Sequence, residues 1–192
     1  NEIQKSTKST SVETNKLNYC TEFSSANAQL AILDEKFVLA KDLITEIETH
    51  FGQEAGIKIQ AKIAIAQHEY KNAIDLLMPI IEKNTQPFWG DYIKHLYLVA
   101  YSQFKLNSIE EAISTCNVAL QGRHIFMLSS ISLYYIKTIA LLSEIYEWNG
   151  QIDLARAECN KFFMYWKNAD PGIPLLEEMK ARQNRLQHLA VR

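Results

Sequence analysis

Glycine and proline are scarce in this chain, six and four among 192 residues. That scarcity excludes the many short turns of a β-sandwich and favours long helices. Cysteine is scarcer: Cys20, Cys116 and Cys159 stand far apart, without CxxC or Cys/His clustering. An odd, sparse set excludes a disulfide framework and a zinc site. Buried free thiols are expected instead, because cysteine packs as a small apolar residue. Charge of one sign is lacking too. The formal net charge is −2, so nothing pulls the whole chain toward nucleic acid or an anionic membrane, and any electrostatic function is local. No apolar run approaches the roughly 18 residues a membrane span needs. No signal-peptide pattern opens the chain, which begins at Asn1; a piece of a longer protein is expected.

Catalytic patterns are missing as well. There is no phosphate-cradling glycine loop, no HExxH and no GxSxG, so neither nucleotide nor zincin nor hydrolase chemistry is indicated. The histidines (His50, His68, His95, His124 and His188) lack metal-ligand spacing, and neither a metal nor a cofactor is expected. His68 falls at a turn and reads as a turn residue rather than a base. Glu144 and Glu147 form an i, i+3 pair that reads as a solvated acidic face rather than a carboxylate dyad. The chain is not expected to be an enzyme.

What is there is helical periodicity. Hydrophobic residues make up 47 % and charged residues 22 %, the balance of a folded domain. Residues 1–16, opening "NEIQKSTKSTSVETN", are polar and read as a linker. From Leu17 the apolar stripe runs almost without pause. Four alanines anchor it: Ala40, Ala73, Ala112 and Ala155, separated by 33, 39 and 43 residues. Three before each lies an apolar residue (Phe37, Tyr70, Ile109, Ile152). Four after lies an apolar or thiol residue (Ile44, Leu77, Cys116, Cys159). Two before the apolar position stands a turn residue: Glu35, His68, Asn107 or Gly150. A small side chain lets two antiparallel helices approach, and its i−3 and i+4 neighbours extend the same face. One hairpin cannot bury its apolar face alone, so hairpins stack.

This pattern resembles the tetratricopeptide repeat (TPR) family, with its Gly-x-Tyr-x-x-Ala turn segment. "NGQIDLA" (149–155) and "HEYKNA" (68–73) carry the resemblance best, and "TIALLSEIY" (138–146) supplies Ile139, Leu142, Ser143 and Tyr146 for the preceding helix. "HLYLVAYSQF" (95–104) supplies Leu96, Val99 and Ala100, with Gln103 in place of tyrosine. The resemblance implies an all-α, right-handed α-solenoid of about four TPR-like hairpins over residues 17–170, with a capping helix in 171–192. Pro171 and Pro174 would end one helix and open that cap, whose packed side is Leu175, Leu176, Met179, Leu186 and Leu189. Residues 84–92 and 121–130 hold the surplus over the family's repeat length, as longer helices, wider loops or simple length drift.

The resemblance also implies a function. First helices of such hairpins line a concave groove, and the positions facing it here are Lys58, Lys62, Lys94, Tyr97, Tyr101, Lys137, Glu144 and Trp148. A cationic, aromatic-flanked trough suits a protein or peptide partner with an acidic segment. The alternative is that Tyr97 and Tyr101 pack between hairpins while the lysines are only solvated. A carboxylate clamp is not expected, since Leu98 and Leu141 replace its polar residues and Lys62 its asparagine. The Trp-Lys-x-Ala-Asp-Pro-x-x-Pro phrase (166–174) is similar to repeat regions of bacterial serine/threonine kinases and winged-helix regulators. A protein-interaction scaffold in a bacterial multidomain signalling or regulatory protein follows, in the cytoplasm or on the extracytoplasmic side of a membrane-anchored parent. Direct nucleic-acid or membrane contact is not expected. The rival readings are a ligand-sensing domain of a transcription regulator and an oligomerisation module joined through Pro87-Phe88-Trp89 or an end face.

Overall fold

A computed structural model describes residues 27–28, 31–32, 34–83, 90–121 and 129–189. Among them the regular elements are all α-helices: α1 (Phe37–Phe51), α2 (Gln53–Ala66), α3 (Tyr70–Lys83), α4 (Gly90–Lys105), α5 (Ile109–Gln121), α6 (Ser129–Trp148), α7 (Ile152–Tyr165) and α8 (Pro174–Leu189). The chain divides into two compact units, Asn1–Ile80 and Ile81–Arg192.

Among the described residues one backbone device recurs at four turns. The four residues expected at the turns, Glu35, His68, Asn107 and Gly150, take φ of +58°, +62°, +62° and +72°. A left-handed residue stops a helix and turns the following N–H groups back onto its open carbonyls. Lys36, Glu69, Ser108 and Gln151 donate N–H bonds to the carbonyls of Ala31, Ala64, Gln103 and Tyr146 at 2.7–2.9 Å. The left-handed residues themselves donate to Ile32, Ile65, Phe104 and Glu147 at 2.9–3.2 Å. This is the Schellman pairing, repeated four times. It is tight enough to force the next helix to run back along the last.

Small residues are buried on both sides of each of these turns. Ala40, Ala73, Ala112 and Ala155 are 0 % exposed, and so are Ala28, Ala61, Ala100 and Ser143, each twelve residues earlier on the preceding segment. Ser143 stands where the family pattern has glycine, and its hydroxyl donates to the Ala155 carbonyl at 2.8 Å. That bond satisfies a buried hydroxyl that would otherwise cost free energy. Ile44, Leu77, Cys116 and Cys159, four after the anchors, are buried as expected.

In the first unit, α1 packs on α2, and Ile44, Ile47, Ile59 and Ile63 close over Ala28, Ala31 and Ala40. Within the second unit α4 pairs with α5, both pack on α6, α6 pairs with α7, and α7 carries α8. Its core joins Ala100, Ala112, Cys116, Ile139, Leu142, Ala155, Cys159 and Phe162 to Leu176, Met179 and Leu186 of α8. Cys116 and Cys159 are buried free thiols. Burial, with Glu158 adding to it, pushes the Cys116 thiol up to about 12, so it packs as a neutral apolar group. Cys20 lies outside the described residues.

Part of the repeat surplus goes into helix: α4 has 16 residues and α6 has 20, against 14 in α2. Residues 84–89 and 122–128 lie outside the described set. Helix α8 does start at Pro174, where a proline N–H is not needed. Leu189 departs from expectation: it is 49 % exposed, because the packed face of α8 ends at Leu186. The middle of that face holds Arg182 between Met179 and Leu186.

Candidate partner-binding face

Helices α4 and α6 lie side by side in the second unit. On α4, Lys94, Tyr97, Tyr101 and Lys105 recur at spacings of three and four, one face of a helix. On α6, Tyr134, Lys137, Leu141, Glu144 and Trp148 do the same. The two stripes meet. The Tyr97 and Tyr101 rings stack at 6.5 Å, and Tyr97 meets Tyr134 edge-on at 5.6 Å. The Lys94 and Lys137 ammoniums both sit over the Tyr134 ring, at 5.7 and 5.2 Å from its centre. The Lys105 ammonium lies 5.1 Å from the Tyr101 ring centre and 5.3 Å from that of Phe104. Phe104 meets Trp148 edge-on at 6.4 Å, and Trp148 is 72 % exposed.

Each lysine over a ring gains about 0.5–1 kcal/mol at an exposed site, which orients the ammonium without consuming its donors. The Tyr97 and Tyr101 phenols stay protonated. Burial, then the neighbouring Tyr101, Tyr134 and Glu144, raises the Tyr97 phenol far above its ordinary value. Burial and then Glu144 raise Tyr101 as well. A face of oriented ammoniums, phenols and an open indole can receive a carboxylate-bearing chain with apolar side groups.

Six of the eight residues singled out from the sequence therefore lie on one face: Lys94, Tyr97, Tyr101, Lys137, Glu144 and Trp148. Lys58 and Lys62 sit on α2 in the other unit, where Lys58 pairs with Glu54 at 3.5 Å. Tyr97 and Tyr101 also pack against the core of the second unit, so the packing reading holds for them in part. The lysines of this face are not merely solvated. Leu141, at an expected clamp position, belongs to the core.

Sequence reasoning passed over Tyr134, Lys105 and Arg182. Tyr134 stands three before Lys137 and Lys105 four after Tyr101, so the helical stripes were there to extend. For Arg182 the only signal was a charged residue inside the apolar spacing of α8. That arginine is 3 % exposed. Its Nε donates to Glu147 at 3.0 Å, its Nη2 to Glu178 at 3.1 Å, and its Nη1 to the Ala140 carbonyl at 3.1 Å. Its Nη2 also lies 3.4 Å from a Glu144 oxygen.

The expectation of a solvated acidic pair on α6 is corrected by these contacts. Arg185 holds Glu147 with two bonds of 2.9 and 3.0 Å, and Arg182 donates a third to the Oε2 that Arg185 also reaches. Burial alone would raise the Glu147 carboxyl, but the hydrogen bonds from Arg185 and Arg182 outweigh it and leave the group below the usual range. His68 is exposed at its turn with Nδ1 2.8 Å from the Tyr70 hydroxyl. Among the described residues, no group of three or more His, Cys, Asp or Glu is placed to hold a metal ion. None of the described helices is long and apolar enough to cross a membrane. Pro87, Phe88 and Trp89 lie outside the described residues.

Paired helices, left-handed turns at each repeat and small residues at each crossing define the class: an all-α, TPR-like helical repeat. The chain is similar to the crystal structure of a Podosopora anserina protein described as a kinesin light chain with nearly identical TPR-like repeats. The match has a TM-score of 0.65 at 13 % identity and covers 88 % of this chain and 85 % of that one. No family model and no curated protein matches the sequence.

Proposed function

We propose that this chain is a protein-interaction module that takes an acidic partner segment on the α4/α6 face. It would serve as the TPR-like part of a bacterial multidomain signalling or regulatory protein, with residues 17–170 as the repeat array, 171–192 as its cap and 1–16 as a linker. The observation that carries the reading is the seating of three ammoniums over the Tyr101, Phe104 and Tyr134 rings. Buried free thiols suit a reducing cytoplasmic compartment.

The test uses a fluorescein-labelled octaglutamate peptide, followed by anisotropy. Affinity should fall steeply from 50 to 300 mM salt, since exposed charges are screened within about 8–10 Å at ordinary ionic strength. Lys94→Glu with Lys137→Glu should abolish binding while lowering stability by no more than about 2 kcal/mol, the sum of two cation–π contacts. Salt-independent binding, or binding equal in the double variant, would remove this face from consideration.

One observation favours the ligand-sensing alternative. The first unit holds an open cavity of about 480 Å³ between α1, α2 and α3, lined by Lys41, Glu48, Gln60 and Glu69 together with Ile44 and Ile63. Its size falls within the range of small-molecule sites. A thermal-shift screen of small zwitterionic metabolites distinguishes the two readings, because stabilisation blocked by Glu48→Gln would place the ligand in the first unit.

A further inference from the structure

We propose that Arg182, on the C-terminal helix, sets the sign of the binding face on α4 and α6 by neutralising Glu144, so that α8 is part of the anion-selecting apparatus. The proposal rests on the reading of that face as a partner-binding surface.

Glu144 is the acid that interrupts the cationic stripe. On α6 it stands seven residues after Lys137 and four before Trp148, on the same side of the helix. Its charge reaches Tyr97 and Tyr101 across the helix pair, since it contributes to raising both phenols. Uncompensated, it would repel the carboxylates that Lys94, Lys105 and Lys137 attract. Arg182 approaches it from the other side at 3.4 Å.

The guanidinium is not free to leave. It is anchored by Glu147, Glu178 and the Ala140 carbonyl, and it lies 3.2 Å from the Met179 sulfur. Glu147 is itself shared with Arg185. Three carboxylates thus face two guanidiniums at the α6–α8 junction. Removing Arg182 leaves three acids against one cation, and Glu144 is the one that stands on the recognition stripe. A cation supplied from a different helix also makes the charge of the face depend on whether α8 is docked.

The indole of Trp148 is the reporter, one turn from Glu144. In a Trp89→Phe background, with a Trp148→Phe control subtracted, quenching by iodide, caesium and acrylamide reads the local potential. Arg182→Met should lower iodide quenching relative to acrylamide by about twofold, what one unit charge does at roughly 8 Å in water, and raise caesium quenching. Adding Glu144→Gln should restore both. In parallel, Arg182→Met should weaken octaglutamate binding about threefold or more, again restored by Glu144→Gln.

Unchanged iodide quenching in Arg182→Met, or no restoration by Glu144→Gln, would overturn the proposal. Should Arg182→Met fail to fold, Arg182→Gln takes its place with the same expected fall in iodide quenching and the same restoration by Glu144→Gln, and a flat response is fatal. If the wild type ignores octaglutamate altogether, the partner reading fails, while the quenching series still decides the role of Arg182.

Discussion

The first unit closes isoleucines over alanines, whereas the second builds on the same turn with Tyr135, Phe162, two thiols and a buried guanidinium. Both use a left-handed residue, a Schellman pair of hydrogen bonds and a small residue on each side of the crossing. The difference teaches which parts of a repeat are fixed by geometry and which are free. Backbone closure and the small residue at the crossing cannot vary, since a larger side chain there would push the helices apart. The remaining core positions need only be apolar and of fitting volume. On the first helices of its hairpins the second unit also collects aromatic and cationic groups, with Tyr97 and Tyr101 packing on the core and the lysines lying over the Tyr101 and Tyr134 rings.

The comparison breaks most sharply under core truncation. Phe162→Ala should cost about 3–5 kcal/mol and Ile63→Ala about 2–5 kcal/mol. Urea unfolding read by fluorescence and far-ultraviolet circular dichroism should show each variant moving a different step. One shared transition moved equally by both would merge the two units energetically.

Overpacking the crossing comes next. Ala112→Leu and Ala40→Leu should each cost about 1–3 kcal/mol, because the equivalent site in either unit has no room. An unchanged midpoint in either variant would dissolve the equivalence of the anchors.

The turns give a smaller effect with opposite signs. Gly150→Ala should destabilise by about 1 kcal/mol, and Glu35→Gly should stabilise by a similar amount, since a Cβ is penalised in the left-handed region. An added Cβ at Gly150 meets nothing within 4 Å, so the cost there is the backbone's alone. Asn107→Gly should gain less than Glu35→Gly, because asparagine tolerates this conformation. Midpoints of urea unfolding read all three.

The smallest effect is acid sensitivity confined to the second unit. The Glu147 carboxyl lies below its ordinary range in the fold. Its contribution is therefore full above about pH 4.3, the unfolded value, and is lost as pH falls through the folded one. Between pH 5 and 3 the urea midpoint of wild type should fall more than that of Glu147→Gln. Parallel falls would mean that its arginine pairings do not act as a linked charge.

The turns were legible in the sequence because backbone geometry there restricts residue choice: Glu35, His68, Asn107 and Gly150 are all polar or glycine at one offset from an alanine. The anchors were legible because only a small residue fits a crossing. The α4/α6 residues Lys94, Tyr97, Tyr101, Lys137, Glu144 and Trp148 were named from the resemblance to the repeat family, and helical spacing alone does not mark them as a binding face. Tyr134 lay within reach of the same spacing, three before Lys137, but nothing in the sequence marks its ring as the seat of two ammoniums. Arg182 was hidden for a different reason. A charged residue at an apolar spacing reads as surface until its partners are known, and those partners, Glu144 and Glu147, come from a segment more than thirty residues earlier.

The twelve-residue interval across each turn has a consequence for how the chain finds its fold. Ser143 bonds to Ala155 and Thr115 to Gln103 across that interval, the latter at 2.8 Å. A loop of this length closes on the order of 10–100 ns. Each hairpin can thus be tried and discarded many times before its neighbours arrive, and a low contact order of this kind goes with fast folding. Arg182, whose partners Glu144 and Glu147 lie more than thirty residues away, joins only after the hairpin of α6 and α7 has closed. The docking of α8 should therefore be the late, slow event in the second unit, and its seam with α6 and α7 the first to part when the protein is pulled from its C-terminus.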